Sequence, residues 1–298
     1  MVTPTTAQSR RRATARLELA GSALCFGLMA ILARKLAQPG VGFTAGHLAV
    51  LRFVAGALAS LAAFALIPGL YRPRNYRLLV SRGLSGGAVV ALYFYALAHM
   101  PAGEAGILYN VYPVLATAMS LVVLRERPTV HLWLALLAAS LGVLLVLGQG
   151  RAGLALGAGA LAALAAAVFA AASANAIRAA RHTENAATIF FYFCLAGLPV
   201  ALPFALTPWP SPLHGGLGAW GLAILMSLLA YGGQLLMAQA YGTLSVSEAA
   251  VWLQLLPIVQ YLLAVPLLGE RLTAPGLAGV LVTVAGVAYG TVMGARRA

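Results

Sequence analysis

The strongest constraint on the fold is an internal repeat with an offset of 144 residues. One copy, Glu104 to Thr129, reads EAGILYNVYPVLATAMSLVVLRERPT, and the other, Glu248 to Thr273, reads EAAVWLQLLPIVQYLLAVPLLGERLT. At this offset the opening Glu-Ala pair, the central proline and the closing Glu-Arg-x-Thr all coincide. Four of the chain's six carboxylates fall into two pairs at the same spacing. The chain is therefore predicted to be two copies of one unit.

The composition predicts that most of the chain is surrounded by lipid. Of the 298 residues, 62% are hydrophobic and only 8% are charged. Ten apolar runs approach or exceed the roughly 20 residues that a helix needs to cross the hydrocarbon core. They lie at about 17–36, 46–68, 79–98, 103–124, 130–148, 153–177, 186–206, 217–240, 246–268 and 274–294. We therefore predict an all-α membrane protein with ten transmembrane helices.

The repeat divides the ten predicted helices into two halves of five. We expect a basic cytoplasmic tail over residues 1–16, a first five-helix repeat over 17–148 and a second over 153–294. An odd number of crossings per half brings the second copy into the membrane from the opposite side, so the repeats are inverted. Inverted repeats are typical of carriers that alternate between two related conformations around a site near the midplane. Alternating access is the function that this topology favours.

The basic residues are distributed unevenly between the two sides of the membrane. With the N-terminus in the cytoplasm, fourteen lie inside: Arg10, Arg11, Arg12, Arg16, Arg72, Arg74, Arg77, Arg82, Arg125, Arg127, Arg178, Arg181, Arg296 and Arg297. Four lie outside (Arg34, Lys35, Arg151 and Arg271), and Arg52 falls within a helix. Both termini are therefore predicted to be cytoplasmic. Because the basic residues lie between apolar runs, the charge of +13 does not indicate a nucleic-acid partner.

Polar and aromatic side chains gather around a proline in the fourth and ninth segments. Pro113 and Pro257 remove a backbone donor, which leaves the carbonyl four residues earlier without its usual partner. We predict a matched pair of helix kinks beside a substrate cavity; packing is the competing explanation for such prolines. The candidate substrate-binding residues are Tyr109, Asn110, Tyr112, Trp252 and Gln254, together with Tyr93, Tyr95, Gln234, Asn175 and His47.

Several embedded polar residues have two interpretations. Asn110 and Gln254 are equivalent in the two copies, and such amides either hold a zwitterionic substrate or form interhelical hydrogen bonds. Arg52 either pairs with a substrate carboxylate or extends to the outer boundary. Glu104 and Glu248 invite a role in proton coupling, but each lies in the first turn of its helix, where capping and the helix dipole account for it. No carboxylate is expected at the bilayer centre.

The sequence offers no enzyme centre and no cofactor site. It has no HExxH motif and no Asp, and Cys25 and Cys194 lie in apolar segments without a CxxC partner. We expect no metal, no cofactor and no enzymatic activity. A scaffold or a channel subunit is the alternative to a transporter. The glycines Gly286, Gly290 and Gly294 permit dimerisation but favour packing within the bundle, so we expect a monomer.

The combined pattern resembles a known family. Each half has a mid-membrane proline, a Glu-Arg pair thirteen residues later and a small-residue helix with Gly142-Val143 or Gly286-Val287. These features resemble the EamA domains of the drug/metabolite transporter superfamily, and the chain is most similar to the bacterial amino-acid exporters of the YddG kind. The resemblance implies a bacterial inner-membrane protein that exports several amino acids through a central cavity. Export of drugs or other small metabolites is the alternative.

Overall fold

The computed structural model of the chain describes residues 6–38, 40–100, 102–148, 157–210, 212–269 and 271–295. Within these ranges the regular elements are helices, and no strand occurs. The helices of the first half are α1 (Thr6–Leu36), α2 (Ala45–Leu66), α3 (Tyr76–His99), α4 (Ala102–Tyr109), α5 (Tyr112–Val123) and α6 (Val130–Gly148). Those of the second half are α7 (Ala158–Ala180), α8 (Ala186–Ala201), α9 (Pro212–Ala240), α10 (Val246–Leu253), α11 (Leu255–Leu268) and α12 (Ala274–Ala295), with a 3₁₀ turn at Leu202–Ala205.

Nine stretches of the described residues are long and apolar enough to cross a membrane. They include α4 with α5 as one span and α10 with α11 as another. The 24 residues of α3 make about 36 Å of helix, but α3 is not among the nine. The chain is thus an all-helical multi-pass membrane protein, while the tenth crossing and the cytoplasmic placement of both termini stay predictions.

Helix starts follow capping chemistry that is visible in the sequence. The Ser245 hydroxyl accepts a hydrogen bond of 3.2 Å from the backbone N–H of Glu248 at the start of α10. Asn185 Oδ1 accepts one of 2.8 Å from the N–H of Thr188 at the start of α8. Such bonds satisfy donors that have no partner inside the helix. The predicted basic tail is also helical from Thr6 onward, as part of α1.

The fourth and ninth predicted segments are each interrupted at the same place in the repeat. Asn110 and Val111 separate α4 from α5, and Gln254 separates α10 from α11. Pro113 and Pro257 follow each interruption within three residues. Because proline cannot donate to the preceding turn, the helical hydrogen bonding is broken at these points.

The packing between the two halves follows the internal repeat. The contact of α1 with α9 corresponds under the repeat to the contact of α7 with α3, and α2 and α6 pack against their own counterparts, α8 and α12. Between α6 and α12, the Thr283 hydroxyl donates to the Ala139 carbonyl at 3.3 Å. Gly286 and Gly290 also face α6, so these two glycines permit close packing inside the chain. The surroundings of Gly294 lie outside the described residues.

Candidate functional site

Three tyrosines from α3 and the α4–α5 junction form an aromatic cluster. The ring centroids of Tyr93 and Tyr109 are 4.9 Å apart, and those of Tyr109 and Tyr112 are 5.2 Å apart. We call these three residues the tyrosine cluster; each remains partly accessible. Asn110 lies in the same junction, and its Nδ2 is buried without a hydrogen-bond partner among the described residues. The helix interruption therefore combines three phenols with an unsatisfied amide donor.

Two arginines, which we call the arginine pair, approach one phenylalanine. The guanidinium carbon of Arg82 lies 4.1 Å from the centre of the Phe193 ring, and that of Arg52 lies 5.7 Å from it. Arg82 is only 3% exposed, and its Nη2 donates to Gln234 Oε1 at 3.2 Å. Within the described chain, Nε and Nη1 of Arg82 and Nε of Arg52 are buried without hydrogen-bond partners. Tyr109 lies near enough to both guanidinium groups to be influenced by their charge.

The burial of Arg82 was not predicted from the sequence. The charge pattern assigns this residue to the cytoplasmic side of the membrane, which stays a prediction, and the structure shows its side chain buried against Phe193. Arg52 also turns towards this ring instead of the outer boundary. A Cβ on Gly86 would collide with Nη1 of Arg82, so this glycine leaves room for the guanidinium.

His47 and Tyr95 have partners outside the tyrosine cluster. His47 Nδ1 accepts from the backbone N–H of Thr44 at 3.2 Å, and Nε2 contacts the carbonyl oxygen of Thr207 at 3.1 Å. Both ring nitrogens therefore fix the start of α2 and the loop before α9. Tyr95 is 41% exposed, and its ring stacks on His99 with centroids 4.0 Å apart. The described contacts do not bring either residue to the cluster.

The other predicted residues form interhelical contacts or retain an unsatisfied donor. Asn175 Nδ2 donates to the Ala116 carbonyl at 3.0 Å, which joins α7 to α5. Gln254 Nε2 donates to the Ser140 hydroxyl at 2.5 Å, which joins the α10–α11 junction to α6. Trp252 keeps its buried Nε1 without a hydrogen-bond partner in the described part of the chain. The two copies of the motif therefore use their polar side chains differently.

Ion pairs connect helices at the end of the bundle that is predicted to face the cytoplasm. The Glu248 side chain is 4% exposed, and its two oxygens accept from Arg12 Nη2 and Arg16 Nη2, each at 2.7 Å. Arg16 Nε adds a third bond of 3.0 Å. These contacts give Glu248 a structural role that competes with proton coupling.

A further ion pair, between Glu126 and Arg178, lies at the same end. Glu126 Oε1 accepts from Arg178 Nε at 3.2 Å, and Oε2 accepts from the backbone N–H of Val246 at 2.9 Å. A cavity of about 590 Å³ opens beside these ion pairs and is large enough for a small metabolite. Its charged lining comprises Arg11, Arg12, Arg127, Arg178, Glu126 and Glu248. We call this cavity the basic vestibule.

The fold and the site together define a class of protein. A bundle of apolar helices in two repeats, with unsatisfied polar groups at an interrupted helix, is typical of membrane transporters. The profile of the EamA-like transporter family matches residues 16–148 and 157–291. The chain belongs to this family and is a multi-pass protein of the bacterial inner membrane.

Individual relatives agree with this assignment. The chain is 31% identical over 175 residues to the pseudopaline exporter CntI of Pseudomonas aeruginosa, in both strain UCBPP-PA14 and strain PAO1. The alignment covers 58% of this chain and 60% of the relative, which is less than two thirds of that protein. A solved crystal structure is similar in fold, with a TM-score of 0.79 at 21% identity, covering 96% of this chain and 100% of the other.

Proposed function

We propose that this protein exports small organic metabolites by alternating access, with amino acids as the first candidates and with broad specificity among them. The observation that carries the proposal is the tyrosine cluster at the α4–α5 interruption, beside the buried and unsatisfied Nδ2 of Asn110. An unsatisfied buried donor costs about 1–3 kcal/mol. A ligand that supplies an acceptor, such as a carboxylate, removes this cost.

The two-repeat architecture supports alternating access. The interruptions at Asn110 and Gln254 fall at equivalent positions, so each half has a point where its helix can bend. Gln254 is engaged with Ser140, so we place the substrate mainly against the first-half interruption. From the second half, we propose that Trp252 contacts the substrate, because its Nε1 has no hydrogen-bond partner among the described residues.

The proposal includes the arrangement predicted from the sequence. In this arrangement the protein is a monomer with ten membrane crossings, of which α3 is the tenth. Its inverted repeats span 17–148 and 153–294, and both termini are cytoplasmic. Neither a metal nor a cofactor is required. The second candidate function is export of other small metabolites, and the similarity to a protein named as a pseudopaline exporter favours it.

The test is uptake of a panel of labelled amino acids into liposomes that contain the purified protein, compared with empty liposomes. Saturable uptake of several amino acids is the expected result, and measurements with and without a proton gradient decide the coupling. Asn110→Ala should raise the half-saturating concentration about tenfold through the loss of one hydrogen bond to a charged group. The control, Tyr76→Ala, removes an exposed tyrosine at the start of α3 and should leave uptake unchanged.

Two outcomes would contradict the proposal in different ways. An absence of uptake for every amino acid would shift the assignment to the other small metabolites. Normal kinetics in Asn110→Ala, Tyr109→Ala and Trp252→Ala would remove the interrupted helix from the substrate site.

A further inference from the structure

The arginine pair carries positive charge that the described protein groups only partly compensate. A guanidinium stays protonated, and its burial is costly unless acceptors or a counter-ion accompany it. Arg82 has one amide acceptor, Gln234, and the face of Phe193. A cation–π contact stabilises a buried guanidinium by less than its desolvation costs. An anion is therefore the chemical complement of this site.

The carboxylates whose side chains are described all have other partners. Glu248 and Glu126 are held by arginines of the basic vestibule. Glu184 Oε1 accepts from the backbone N–H of Asn75 at 2.6 Å. Glu18 interacts electrostatically with Arg181. Among the described residues no carboxylate pairs with Arg52 or Arg82, which points to a bound molecule as the source of the counter-charge.

The two guanidinium groups of the arginine pair lie close enough to contact one small molecule. Both guanidinium carbons lie within 5.7 Å of the same ring centre, which places them within about 10 Å of each other. A guanidinium donates two parallel hydrogen bonds to one carboxylate. Tyr109 lies near enough to both arginines to be influenced by their charge, so the arginine pair is close to the tyrosine cluster.

We propose that Arg52 and Arg82 each bind a carboxylate of the transported molecule, so that the carrier prefers small dicarboxylates over neutral zwitterions. This inference rests on the proposed function, because it specifies the substrate class of the same site. A neutral zwitterion has a single carboxylate and leaves one guanidinium without a counter-ion, whereas a molecule with two carboxylates neutralises both.

The basic vestibule supports the same charge preference. Its charged lining has four arginines and two glutamates, so it attracts anions to that end of the bundle. The vestibule and the arginine pair share no residue. The basic vestibule and the arginine pair both favour an anionic substrate.

The test compares binding of labelled glutamate and glutamine to the purified full-length protein in nanodiscs. The two amino acids have nearly the same shape and differ by one carboxylate. We expect glutamate to bind roughly 10- to 100-fold more tightly, as for a hydrogen-bonded charged group. Arg82→Gln and Arg52→Gln should each bring the glutamate-to-glutamine ratio close to one. Arg77→Gln, an exposed arginine on the same helix as Arg82, is the matched control and should preserve the ratio.

A second variant keeps the test decisive if Arg82→Gln fails to fold. Gln234→Glu places a carboxylate at the atom that already accepts from Arg82, at nearly unchanged volume. It should preserve or raise the melting temperature, because it supplies the counter-ion internally. It should also weaken glutamate binding and bring the ratio close to one.

Equal binding of glutamate and glutamine to the native protein would overturn the inference, as would binding of neither. An unchanged ratio in Gln234→Glu would also overturn it. Failure of the proposed function gives a different result, namely selective glutamate binding without transport of any amino acid into liposomes. Transport of alanine and leucine with rejection of glutamate and succinate would preserve the export function and refute the dicarboxylate preference.

Discussion

The Arg16–Glu248 pair provides a quantitative prediction about how the end of the bundle with the basic vestibule is held together. Arg16 donates from Nε at 3.0 Å and from Nη2 at 2.7 Å to one oxygen of Glu248, while Arg12 occupies the other oxygen. The two contacts tie the start of α1 to the start of α10. We expect removal of Glu248 to be more destabilising than removal of either arginine, because it leaves both arginines unpaired.

The magnitude follows from the burial of the partners. The side chains of Arg16 and Glu248 are 15% and 4% exposed, so the pair lies between an exposed ion pair, worth about 0.2–1 kcal/mol, and a buried one, whose disruption costs about 3–5 kcal/mol. We therefore expect a coupling free energy of about 1–2 kcal/mol between Arg16 and Glu248. Glu248→Gln alone should lower the free energy of unfolding by about 2–4 kcal/mol.

The assay is a double-mutant cycle with Arg16→Gln, Glu248→Gln and the double variant. The free energy of unfolding is measured by titrating the purified protein in mild detergent with SDS and following the loss of helical circular dichroism. Arg10→Gln changes an exposed arginine on the same helix and serves as the control, for which we expect no effect. A coupling below about 0.5 kcal/mol is the range of simple additivity, and it would refute the claim that this contact holds α1 to α10.

Three further substitutions test individual packing and hydrogen-bonding roles. Gly142→Ala places a Cβ about 2.5 Å from the backbone nitrogen of Thr283 and should lower the unfolding free energy by about 1–3 kcal/mol. The control, Gly221→Ala, places a Cβ with nothing within 4 Å and should cause no loss. Equal effects of the two substitutions would contradict the close packing of α6 on α12. Gln254→Ala should lower the unfolding free energy by about 1 kcal/mol while leaving the half-saturating substrate concentration unchanged, and a raised concentration would return this residue to the site. His47→Ala should lower the melting temperature without reducing transport per folded molecule, because both ring nitrogens are used locally; a selective loss of transport would refute this role.

Much of the helical organisation could be predicted because it depends on local properties. Apolar runs of sufficient length, capping residues such as Ser245 and Asn185, and the two prolines mark helices and their interruptions directly in the sequence. The 144-residue offset also identifies which helices correspond, and the contact between Ala139 and Thr283 joins two equivalent positions.

The polar site was harder to predict because side-chain direction and partner are decided in three dimensions. For an arginine near a predicted helix start, such as Arg82, the sequence does not show whether the guanidinium faces lipid headgroups or Phe193. The equivalent positions of Asn110 and Gln254 also do not predict their different hydrogen-bonding partners. Gln254 finds the hydroxyl of Ser140, whereas the position equivalent to Ser140 in the second half is Val284, which offers no hydrogen-bonding group. The repeat thus preserves position while the hydrogen bonding differs.

The central claim is that one binding site is exposed alternately to the two sides of the membrane, and counterflow tests it most directly. Liposomes containing the protein are loaded with a high concentration of unlabelled glutamate and diluted into a trace of labelled glutamate. A carrier predicts a transient accumulation of label above its equilibrium level, which Arg82→Gln should abolish and Arg77→Gln should retain. Label that only rises to equilibrium, without an overshoot, would indicate a channel and would contradict alternating access.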